Sequence, residues 1–383
     1  MERNRLYGIG EPITRDVLQG RITSEIAVGI LNDLGVTALR EWMTPAMYPE
    51  VLNYEEICRA FDKTLTLCEE YDIEVTGMGT PTMPGVYDKE EFLEVPVRDL
   101  SENSPYSEML RQTEANWERI TRRFPSIRQW EVGNEWNFPL FLHPIGWKAG
   151  EPAYSIEEMM EIACDLMYVS ARGIRRGNPE ARVVCFAPTP DSMHHYLPVG
   201  VPIAYGIPVC LEILYRTIEE GKSFSTNSDD YFDMVAWHPY LSTQMGYEPY
   251  DTTYPAAEMY LTDDMPDALW KSYNDMAYHI MARHGDGHKK VLITEFGFSD
   301  CWNEERERQQ AALIPRCFEL LRQMPYVKTC HFFRLLEDEG TKAADNGVFT
   351  NESEGKFGIV REAQHNYEYR EKARELQKVY RGI

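Results

Sequence analysis

Residues 127–139 read IRQWEVGNEWNFP, and this stretch sets the pattern for the whole chain. Its first seven residues form a short, mainly apolar segment that ends at Gly133, as a buried β-strand would. Asn134 and Glu135 follow directly, and Trp136 begins a segment rich in aromatic residues and proline. The stretch therefore predicts a strand that carries polar side chains at its carboxyl end.

Further apolar segments share this pattern, and together they predict eight strands. The strands cover residues 5–10, 36–43, 73–79, 127–133, 181–188, 232–240, 290–298 and 328–336. Amphipathic helical patterns are placed at residues 23–34, 54–71, 105–122, 155–176, 265–284, 304–323 and 361–380. Strands that alternate with such helices indicate a parallel sheet, and eight of them favour an α/β fold of the closed (β/α)8 TIM barrel type. We predict one catalytic barrel domain over residues 1–383.

The composition narrows the classes of partner. The 383 residues include 39 Lys and Arg and 62 Asp and Glu, which gives a formal charge of −23. Such an acidic surface repels phosphate backbones and anionic membranes, so we expect neither nucleic acid nor a membrane as a partner. No glycine-rich nucleotide motif such as GxGxxG occurs, and we expect no cofactor. The sequence makes no prediction of the oligomeric state.

The N-terminus and the cysteines predict a location. The first residues, MERNRLYGIGEP, lack the apolar run of a signal peptide, and no segment has the length and hydrophobicity of a membrane helix. The eight cysteines are dispersed and include no CxxC pair. We therefore expect buried free thiols, rather than disulfides or zinc ligands, in a cytoplasmic protein.

Long connections follow the third to sixth predicted strands, at residues 80–104, 136–154, 189–206 and 241–264. They leave the carboxyl ends of the strands, which is the face where barrel enzymes build their active sites. Their Pro, Gly, Tyr and Trp content suits ordered walls better than flexible linkers. We expect these connections to enclose a pocket or to line a cleft.

Polar residues occupy the same ends of the predicted strands. They are Arg40 on the second strand, Asn134 and Glu135 on the fourth, His238 and Tyr240 on the sixth, and Glu295 on the seventh. A buried carboxylate is costly unless it is paired, so two glutamates at one end of a barrel indicate a chemical use. In such a pair one carboxyl donates a proton to a leaving oxygen, while the other attacks carbon or activates water. Cleavage of glycosidic bonds is built on this pair.

Together these residues resemble those of the retaining glycoside hydrolases of clan A, which are (β/α)8 barrels. The similarity runs over almost the whole chain, from Arg40 to about Asn346, and WEVGNEWN and ITEFGFSD are similar to segments of families 5 and 39 and their neighbours. The resemblance implies that Glu135 is the acid/base and Glu295 the nucleophile. It also implies supporting roles, in which Asn134 bonds the sugar 2-hydroxyl, Tyr240 orients Glu295, His238 lines the site and Arg40 holds Glu295 ionised.

One departure from the clan concerns the floor under the reacting sugar, which is usually a tryptophan on the eighth strand. This chain has no tryptophan after Trp302, and its eighth strand continues as CHFFRLLED. We expect Phe332 or Phe333 to take this place, or Trp302 to reach in from the loop after the seventh strand.

Several of these residues also have purely structural interpretations. Glu135 taken alone fits a helix cap or a loop carboxylate, Arg40 fits a structural ion pair, and His238 fits a core histidine. The adjacent His194 and His195, near Asp191, would face opposite ways on a strand, so we expect no metal site there. The loop aromatics Trp136, Trp147, Tyr247 and Tyr250 fit either sugar stacking or loop packing.

The alternation of side chains along a strand gives two more expectations. Glu131 lies between Trp130 and Val132 and is expected to face away from the site, toward solvent or a helix. The same period of two places Ile293, Glu295 and Gly297 on one face of the seventh strand.

The sequence leads to the hypothesis of a retaining β-glycosidase that acts on oligosaccharides or small glycosides, in an exo manner. An endo-β-glycanase of the same fold is the alternative within this class. A sugar-binding barrel without turnover, and a metal-dependent barrel hydrolase, are the alternatives from other classes. The missing HxH motif at the end of the first strand argues against the metal enzyme.

Overall fold

A computed structural model describes residues 5–80, 93–139, 141–148, 151, 153–190, 206–240, 265–298, 304–337, 357–363 and 366–383. Twelve strands lie in these ranges: β1 (Tyr7–Gly10), β2 (Ala38–Trp42), β3 (Glu74–Gly79), β4 (Leu93–Val95), β5 (Gln129–Val132), β6 (Leu142–Pro144), β7 (Arg182–Val184), β8 (Val235–Trp237), β9 (Val291–Phe296), β10 (Val327–Phe333), β11 (Val360–Ala363) and β12 (Asn366–Tyr369).

Eight of these strands form one parallel sheet, in the order β7-β5-β3-β2-β1-β10-β9-β8. The pairing of β1 with β10 brings the first and last barrel strands together, so the sheet curls round on itself. A bridge between Val184 and Met234 links the two outer strands, and the Cys185 N–H donates to the Met234 carbonyl at 2.9 Å. The eight predicted strands and the (β/α)8 barrel are thereby confirmed, although β7 and β8 are shorter than predicted.

Nine α-helices lie in the described ranges: α1 (Ile13–Leu18), α2 (Ser24–Leu34), α3 (Tyr54–Glu70), α4 (Pro105–Arg123), α5 (Ile156–Gly177), α6 (Ile207–Glu219), α7 (Met265–Arg283), α8 (Glu304–Arg322) and α9 (Glu371–Arg381). Helices α2 to α5, α7 and α8 match predicted segments within two residues. The sequence reading missed α1 and α6. It also placed a helix over 361–380, where the β11–β12 hairpin precedes the shorter α9.

The barrel sheet is buried on both faces, and the two faces differ in chemistry. The outward face is apolar and packs on the helices, as where Trp130 of β5 meets Trp117 of α4 in an edge-to-face contact of 5.6 Å. The inward face of β7, β8 and β9 carries a small apolar cluster, which consists of Val184, Ala187, Met234, Ala236 and Leu292. Polar side chains of the carboxyl ends lie above this cluster, so the sheet itself positions the site.

Two of the long connections meet above the barrel. Strand β4 belongs to the connection after β3, strand β6 belongs to the connection after β5, and the two pair in parallel as a separate sheet. The predicted walls at 189–206 and 241–264 lie outside the described residues, except for 189, 190 and 206. The described parts of these two connections therefore contact each other through this pair of strands.

Helix and cysteine expectations can also be compared with the structure. The capping box of α5 is present, with Ser155 and Glu158 bonding each other's backbone N–H groups. The seven cysteines of the described ranges are free and buried, as expected. None of the described helices has the length and apolar character needed to cross a membrane.

Candidate active site

Arg40 of β2 lies at the centre of the polar cluster. Its Nε and Nη2 atoms donate to the two carboxylate oxygens of Glu131, at 2.8 and 2.9 Å. Nη1 donates to Oε1 of Glu295 at 2.6 Å, and Nη2 also donates to Oδ1 of Asn134 at 2.8 Å. The guanidinium is fully buried, with Cζ 4.7 Å from the ring centre of Trp42. One cation therefore ties three strands of the barrel mouth together.

The electrostatics of this cation are set by its partners. Burial alone would lower the pKa of Arg40, but attraction to Glu131 and Glu295 raises it overall, so the guanidinium stays charged. Burial also raises the pKa of Glu131, against the opposing pull of Arg40. The two carboxylates share one positive charge.

The expectation that Glu131 faces solvent or a helix is wrong. Its side chain is fully buried inside the barrel, where it makes a two-pronged ion pair with Arg40. Its neighbours Trp130 and Val132 instead pack in the apolar layer against the helices. The prediction failed because it assigned the apolar residues to the barrel interior, whereas a helix-covered barrel needs them on its outer face.

Glu295 enters the site through an irregularity of β9. The register of β9 against β10 shifts between the Cys330–Ile293 and Phe332–Phe296 pairs, which leaves one extra residue on β9. Thr294 and Glu295 both contact the cluster, while Ile293 packs in the outer apolar layer. The expected common face of Ile293 and Glu295 is therefore wrong, because a bulge re-aims the glutamate.

The second oxygen of Glu295 is held by the sixth barrel strand. The hydroxyl of Tyr240, three residues beyond β8, donates to Oε2 of Glu295 at 3.0 Å. With Arg40 on Oε1, each carboxylate oxygen has a donor from a different strand. The carboxylate is thereby fixed in position.

Glu135 is placed by a tight turn after β5. Gly133 has a φ of +82°, and a Cβ atom there would lie 2.2 Å from the ring of Trp136, so only glycine fits. Glu135 itself has a φ of +48°, which costs a residue other than glycine about 1–3 kcal/mol. Its N–H donates to the Ala187 carbonyl at 2.9 Å, which anchors the turn to the next strand.

His238 joins the two glutamates. Nδ1 lies 2.7 Å from Oε1 of Glu135 and 3.8 Å from Oε2 of Glu295. Nε2 lies 3.0 Å from the hydroxyl of Thr294, which in turn donates to Oε1 of Glu131 at 3.2 Å. Burial, Arg40 and His331 hold the pKa of His238 well below its ordinary value, so the imidazole is neutral.

The two glutamates predicted from the sequence face each other. One carboxylate oxygen of Glu135, one of Glu295 and a ring nitrogen of His238 lie within 4.8 Å of one another. Glu135 and Glu295 are 4% and 8% exposed, so both carboxylates lie in a largely water-excluded site.

A series of aromatic rings runs from Trp42, which lies against the Arg40 guanidinium, to Tyr240, whose hydroxyl donates to Glu295. Phe333 lies 6.5 Å from Trp42 and 5.5 Å from Phe357, and Phe357 lies 5.8 Å from Tyr240, between ring centres. The sequence reading named Phe333 and Tyr240 but missed Trp42 and Phe357. Trp42 could have been found from the sequence, because it follows Arg40 by two residues and therefore lies on the same face of β2.

The remaining substrate-binding candidates lie elsewhere. Trp136 is almost completely buried between Gly133 and Phe186, which favours loop packing over stacking on sugar. Phe332 packs on Phe296 and Phe298 in the outer layer. Trp147 is half-buried beside His143. Trp302, Asp191, His194, His195, Tyr247 and Tyr250 lie outside the described residues.

Glu135, His238 and Glu295 also offer three oxygen or nitrogen ligands at close range, as a metal site would. A cation there would compete with the Arg40 guanidinium, which already lies 2.6 Å from Glu295. A second acidic group, Asp229, Asp286 and His288, has the Lys289 amine 2.9 and 3.1 Å from its two aspartates. A side-chain cation therefore already neutralises part of the negative charge in both places.

The barrel is of the kind found in the glycoside hydrolases of clan A, and solved structures of that clan match it over nearly the whole chain. A family 39 enzyme from Bacteroides cellulosilyticus WH2 matches with a TM-score of 0.57 and 13% identity, covering 98% of this chain and 64% of its own. A family 5 subfamily 18 enzyme from Streptomyces cattleya, in complex with Manβ1-4GlcNAc, matches with 0.63 and 13%, covering 99% and 80%.

A family 1 β-glucosidase from Thermotoga maritima, in complex with isofagomine lactam, matches with a TM-score of 0.59 and 12% identity, covering 100% of this chain and 98% of its own. The chain thus spans about two thirds of the family 39 enzyme and nearly all of the family 1 enzyme. At these identities the likeness shows the fold. No protein-family model matches the chain, and no curated protein matches it.

Proposed function

We propose that the protein is a retaining β-glycoside hydrolase in which Glu295 is the nucleophile and Glu135 the acid/base. The observation that carries the proposal is the approach of their carboxylate oxygens to within 4.8 Å. Retaining glycosidases hold their carboxyl groups about 5–5.5 Å apart, whereas inverting enzymes separate them by about 6.5–9.5 Å to admit a water. These ranges refer to whole carboxyl groups, and nearest oxygens within 4.8 Å fit the retaining range better than the inverting one, which supports double displacement.

In the first step Glu295 attacks the anomeric carbon while Glu135 passes a proton to the leaving oxygen. Arg40 and Tyr240 each hold one oxygen of Glu295, which favours the ionised carboxylate and aims it. Oδ1 of Asn134 accepts a hydrogen bond from Nη2 of Arg40, so the amide nitrogen of Asn134 is left to donate to a sugar hydroxyl. A glycosyl ester with Glu295 results.

In the second step Glu135, now a carboxylate, removes a proton from water. The water oxygen bonds to the anomeric carbon, Glu295 leaves as a carboxylate, and the sugar is released with its original anomeric configuration. Both steps use the same two side chains, which agrees with the shared network around them.

The proposed substrates are short β-linked oligosaccharides or small glycosides, cleaved in an exo manner. Support comes from the long connections after the third to sixth barrel strands, which have the length to enclose a pocket. The names of two similar structures, a β-glucosidase and an enzyme with Manβ1-4GlcNAc bound, point to such substrates. A cytoplasmic location, supported by the seven buried free cysteines, is part of the proposal.

The test is hydrolysis of a panel of aryl β-glycosides and oligosaccharides, with the first-formed anomer followed by proton NMR. The proposal expects the β-anomer of at least one sugar to appear first, and Glu295→Gln to remove activity. Release of the α-anomer would contradict it, and so would sugar binding without turnover, which would favour a non-catalytic barrel. Internal cleavage of a polysaccharide would favour the endo alternative.

A further inference from the structure

A chain of hydrogen bonds runs from Glu135 to the buried Glu131. It passes from Oε1 of Glu135 to Nδ1 of His238 at 2.7 Å, from Nε2 of His238 to Oγ1 of Thr294 at 3.0 Å, and from Thr294 to Oε1 of Glu131 at 3.2 Å. All four side chains are almost completely buried. The chain therefore needs an internally consistent set of hydrogens, because bulk water cannot supply missing ones.

The hydrogens of this chain can be counted. Thr294 has one hydroxyl hydrogen, and the neutral imidazole of His238 has one N–H. If Thr294 donates to the Glu131 carboxylate, its oxygen must accept from Nε2–H, and Nδ1 then carries only a lone pair. The 2.7 Å contact at Nδ1 is then a hydrogen bond only if Glu135 is protonated and donates. All three contacts are satisfied in this arrangement.

The opposite arrangement satisfies fewer groups. If Thr294 gives its hydrogen to Nε2, then Nδ1–H donates to Glu135, but the 3.2 Å contact with Glu131 has no hydrogen. With Glu135 protonated in both arrangements, the bond from Thr294 to the Glu131 carboxylate belongs to the stronger, charged class, whereas the bonds from Thr294 to Nε2 and from Nδ1–H to Glu135 join neutral groups. The count therefore favours the arrangement in which Glu131 receives the Thr294 hydrogen.

We propose that Thr294 and Glu131 are positioning residues, which hold His238 in the tautomer with its hydrogen on Nε2, so that Nδ1 accepts the catalytic proton of Glu135. The inference rests on the proposed function and deepens it. Arg40 fixes Glu131 from the other side with two hydrogen bonds, so the acceptor at the end of the chain stays an anion. The charged and titratable groups around His238 and Glu135 in the described part of the chain include Glu295, Arg40, Glu131, His331 and Tyr240.

The proton follows a simple course in this arrangement. In the free enzyme it lies between Glu135 and Nδ1, and on substrate binding the glycosidic oxygen takes it as the C–O bond breaks. The Glu135 carboxylate then faces a lone pair of His238 rather than a donor, which leaves it basic enough to take a proton from water. His238 keeps its own hydrogen on Nε2 throughout both steps.

The tautomer itself is measurable without substrate. Long-range proton–nitrogen correlation spectra of protein with ¹⁵N-labelled histidine separate protonated from bare ring nitrogens, and a His238→Asn variant assigns the signals among the nine histidines. We expect hydrogen on Nε2 of His238 in the wild-type protein. Hydrogen on Nδ1 in the wild-type protein would overturn the proposal, whatever the enzyme hydrolyses.

Kinetics test the role of Thr294. In Thr294→Val the Nε2–H loses its acceptor, the hydrogen moves to Nδ1 and the Glu135 carboxylate gains a donor. The basic limb of the kcat/KM profile should then move to lower pH by about one unit. Thr294→Ser, which keeps the hydroxyl, should return the basic limb to its wild-type pH. The control is Thr329→Val, since the Oγ1 of this buried β10 threonine has no hydrogen-bond partner in the described part of the chain.

The leaving group gives a second readout. Glycosides with poor leaving groups should lose about tenfold in kcat/KM above the shifted limb, while activated aryl glycosides, which need no protonation, should keep theirs. An unchanged basic limb in Thr294→Val, or equal loss in Thr329→Val, would overturn the role of Thr294. A wild-type protein that hydrolyses none of the panel would contradict the proposed function, and the tautomer spectrum would still decide the hydrogen-bond arrangement.

Discussion

Arg40 donates to Oε1 of Glu295 at 2.6 Å while it holds both oxygens of Glu131. The nucleophile of the proposed reaction is thus part of a buried network that contains two carboxylates and one cation. Removing one partner of a buried ion pair leaves an uncompensated charge, which is far more costly than loss of an exposed pair.

Replacement of Arg40 should therefore destabilise the protein strongly. We expect Arg40→Met to lower the free energy of unfolding by about 3–5 kcal/mol in chemical denaturation. The added change Glu131→Leu should recover part of this loss, because it removes one of the stranded charges. The control Arg111→Met breaks an exposed pair with Glu108 and should cost less than about 1 kcal/mol. Equal losses at the two arginines would refute the account of the network.

The Tyr240 hydroxyl should matter for turnover more than for stability. Tyr240→Phe removes the donor to Oε2 of Glu295, and a hydrogen bond to a charged group is worth about 1.5–3 kcal/mol, or roughly 10- to 100-fold in kcat/KM. Tyr106→Phe removes a similar buried bond, to Asp165 at 3.0 Å, outside the site. Steady-state kinetics should show the loss only for Tyr240→Phe, and an equal loss in both variants would speak against a role at Glu295.

Phe333 is expected to form the floor of the sugar site in place of the missing tryptophan. Phe333→Leu shortens the ring series beside Trp42 and Phe357, and should reduce kcat/KM by about 10- to 200-fold, as missing apolar contacts in binding pockets do. Phe332→Leu changes the neighbouring ring in the outer layer. It should lower the melting temperature and leave kcat/KM unaltered. If instead Phe332→Leu lowered kcat/KM and Phe333→Leu left it unaltered, Phe333 would not form the floor of the sugar site.

A pH dependence of stability is expected from Glu11 and Asp16, a buried acidic pair that follows β1 in the chain. Burial and the nearby Glu11 raise the pKa of Asp16 to about 7, while Arg334 lowers the pKa of Glu11 against the effect of burial. Because the folded pKa of Asp16 lies above its unfolded value of 3.8, the stabilisation is complete below pH 3.8 and is lost as pH rises through about 7.

Asp16→Asn should remove this dependence. Relative to the wild-type protein, the variant should gain stability steadily between about pH 4 and 7 in urea titrations, since it has no proton to lose. The exposed Glu102→Gln serves as the control and should follow the wild-type curve. A constant difference between Asp16→Asn and wild type across this range would contradict the raised pKa of Asp16.

The fold was readable from the sequence because each barrel strand has its own apolar signal and four of the strands carry polar residues toward their carboxyl ends. The contacts among Arg40, Asn134, Glu135, His238, Tyr240 and Glu295 follow from eight strands that end on one face. These contacts could be predicted without the register or the curvature of the sheet, since closure of a parallel barrel brings the carboxyl ends of its strands together.

The errors arose where the two-residue alternation of side chains along a strand was used to assign residues to a face of the sheet. The alternation of side chains gave the wrong face for Glu131, because both faces of the sheet are buried and the helix side takes the apolar residues. It wrongly placed Ile293 on the same face as Glu295, because the sequence does not reveal the bulge in β9. Thr294 was missed for the same reason. The contact of Phe357 with Tyr240 joins segments far apart in the chain, and no local pattern could predict it.

The central claim is that Glu295 forms a covalent bond to the sugar. The most direct measurement is treatment with 2-deoxy-2-fluoro-β-glycosides that carry a dinitrophenyl leaving group, followed by intact mass and peptide mapping. The account predicts one sugar per chain, attached to the peptide that contains Glu295, and no label in Glu295→Gln. Label on Glu135 or elsewhere, or hydrolysis of natural glycosides without any trapped ester, would contradict it.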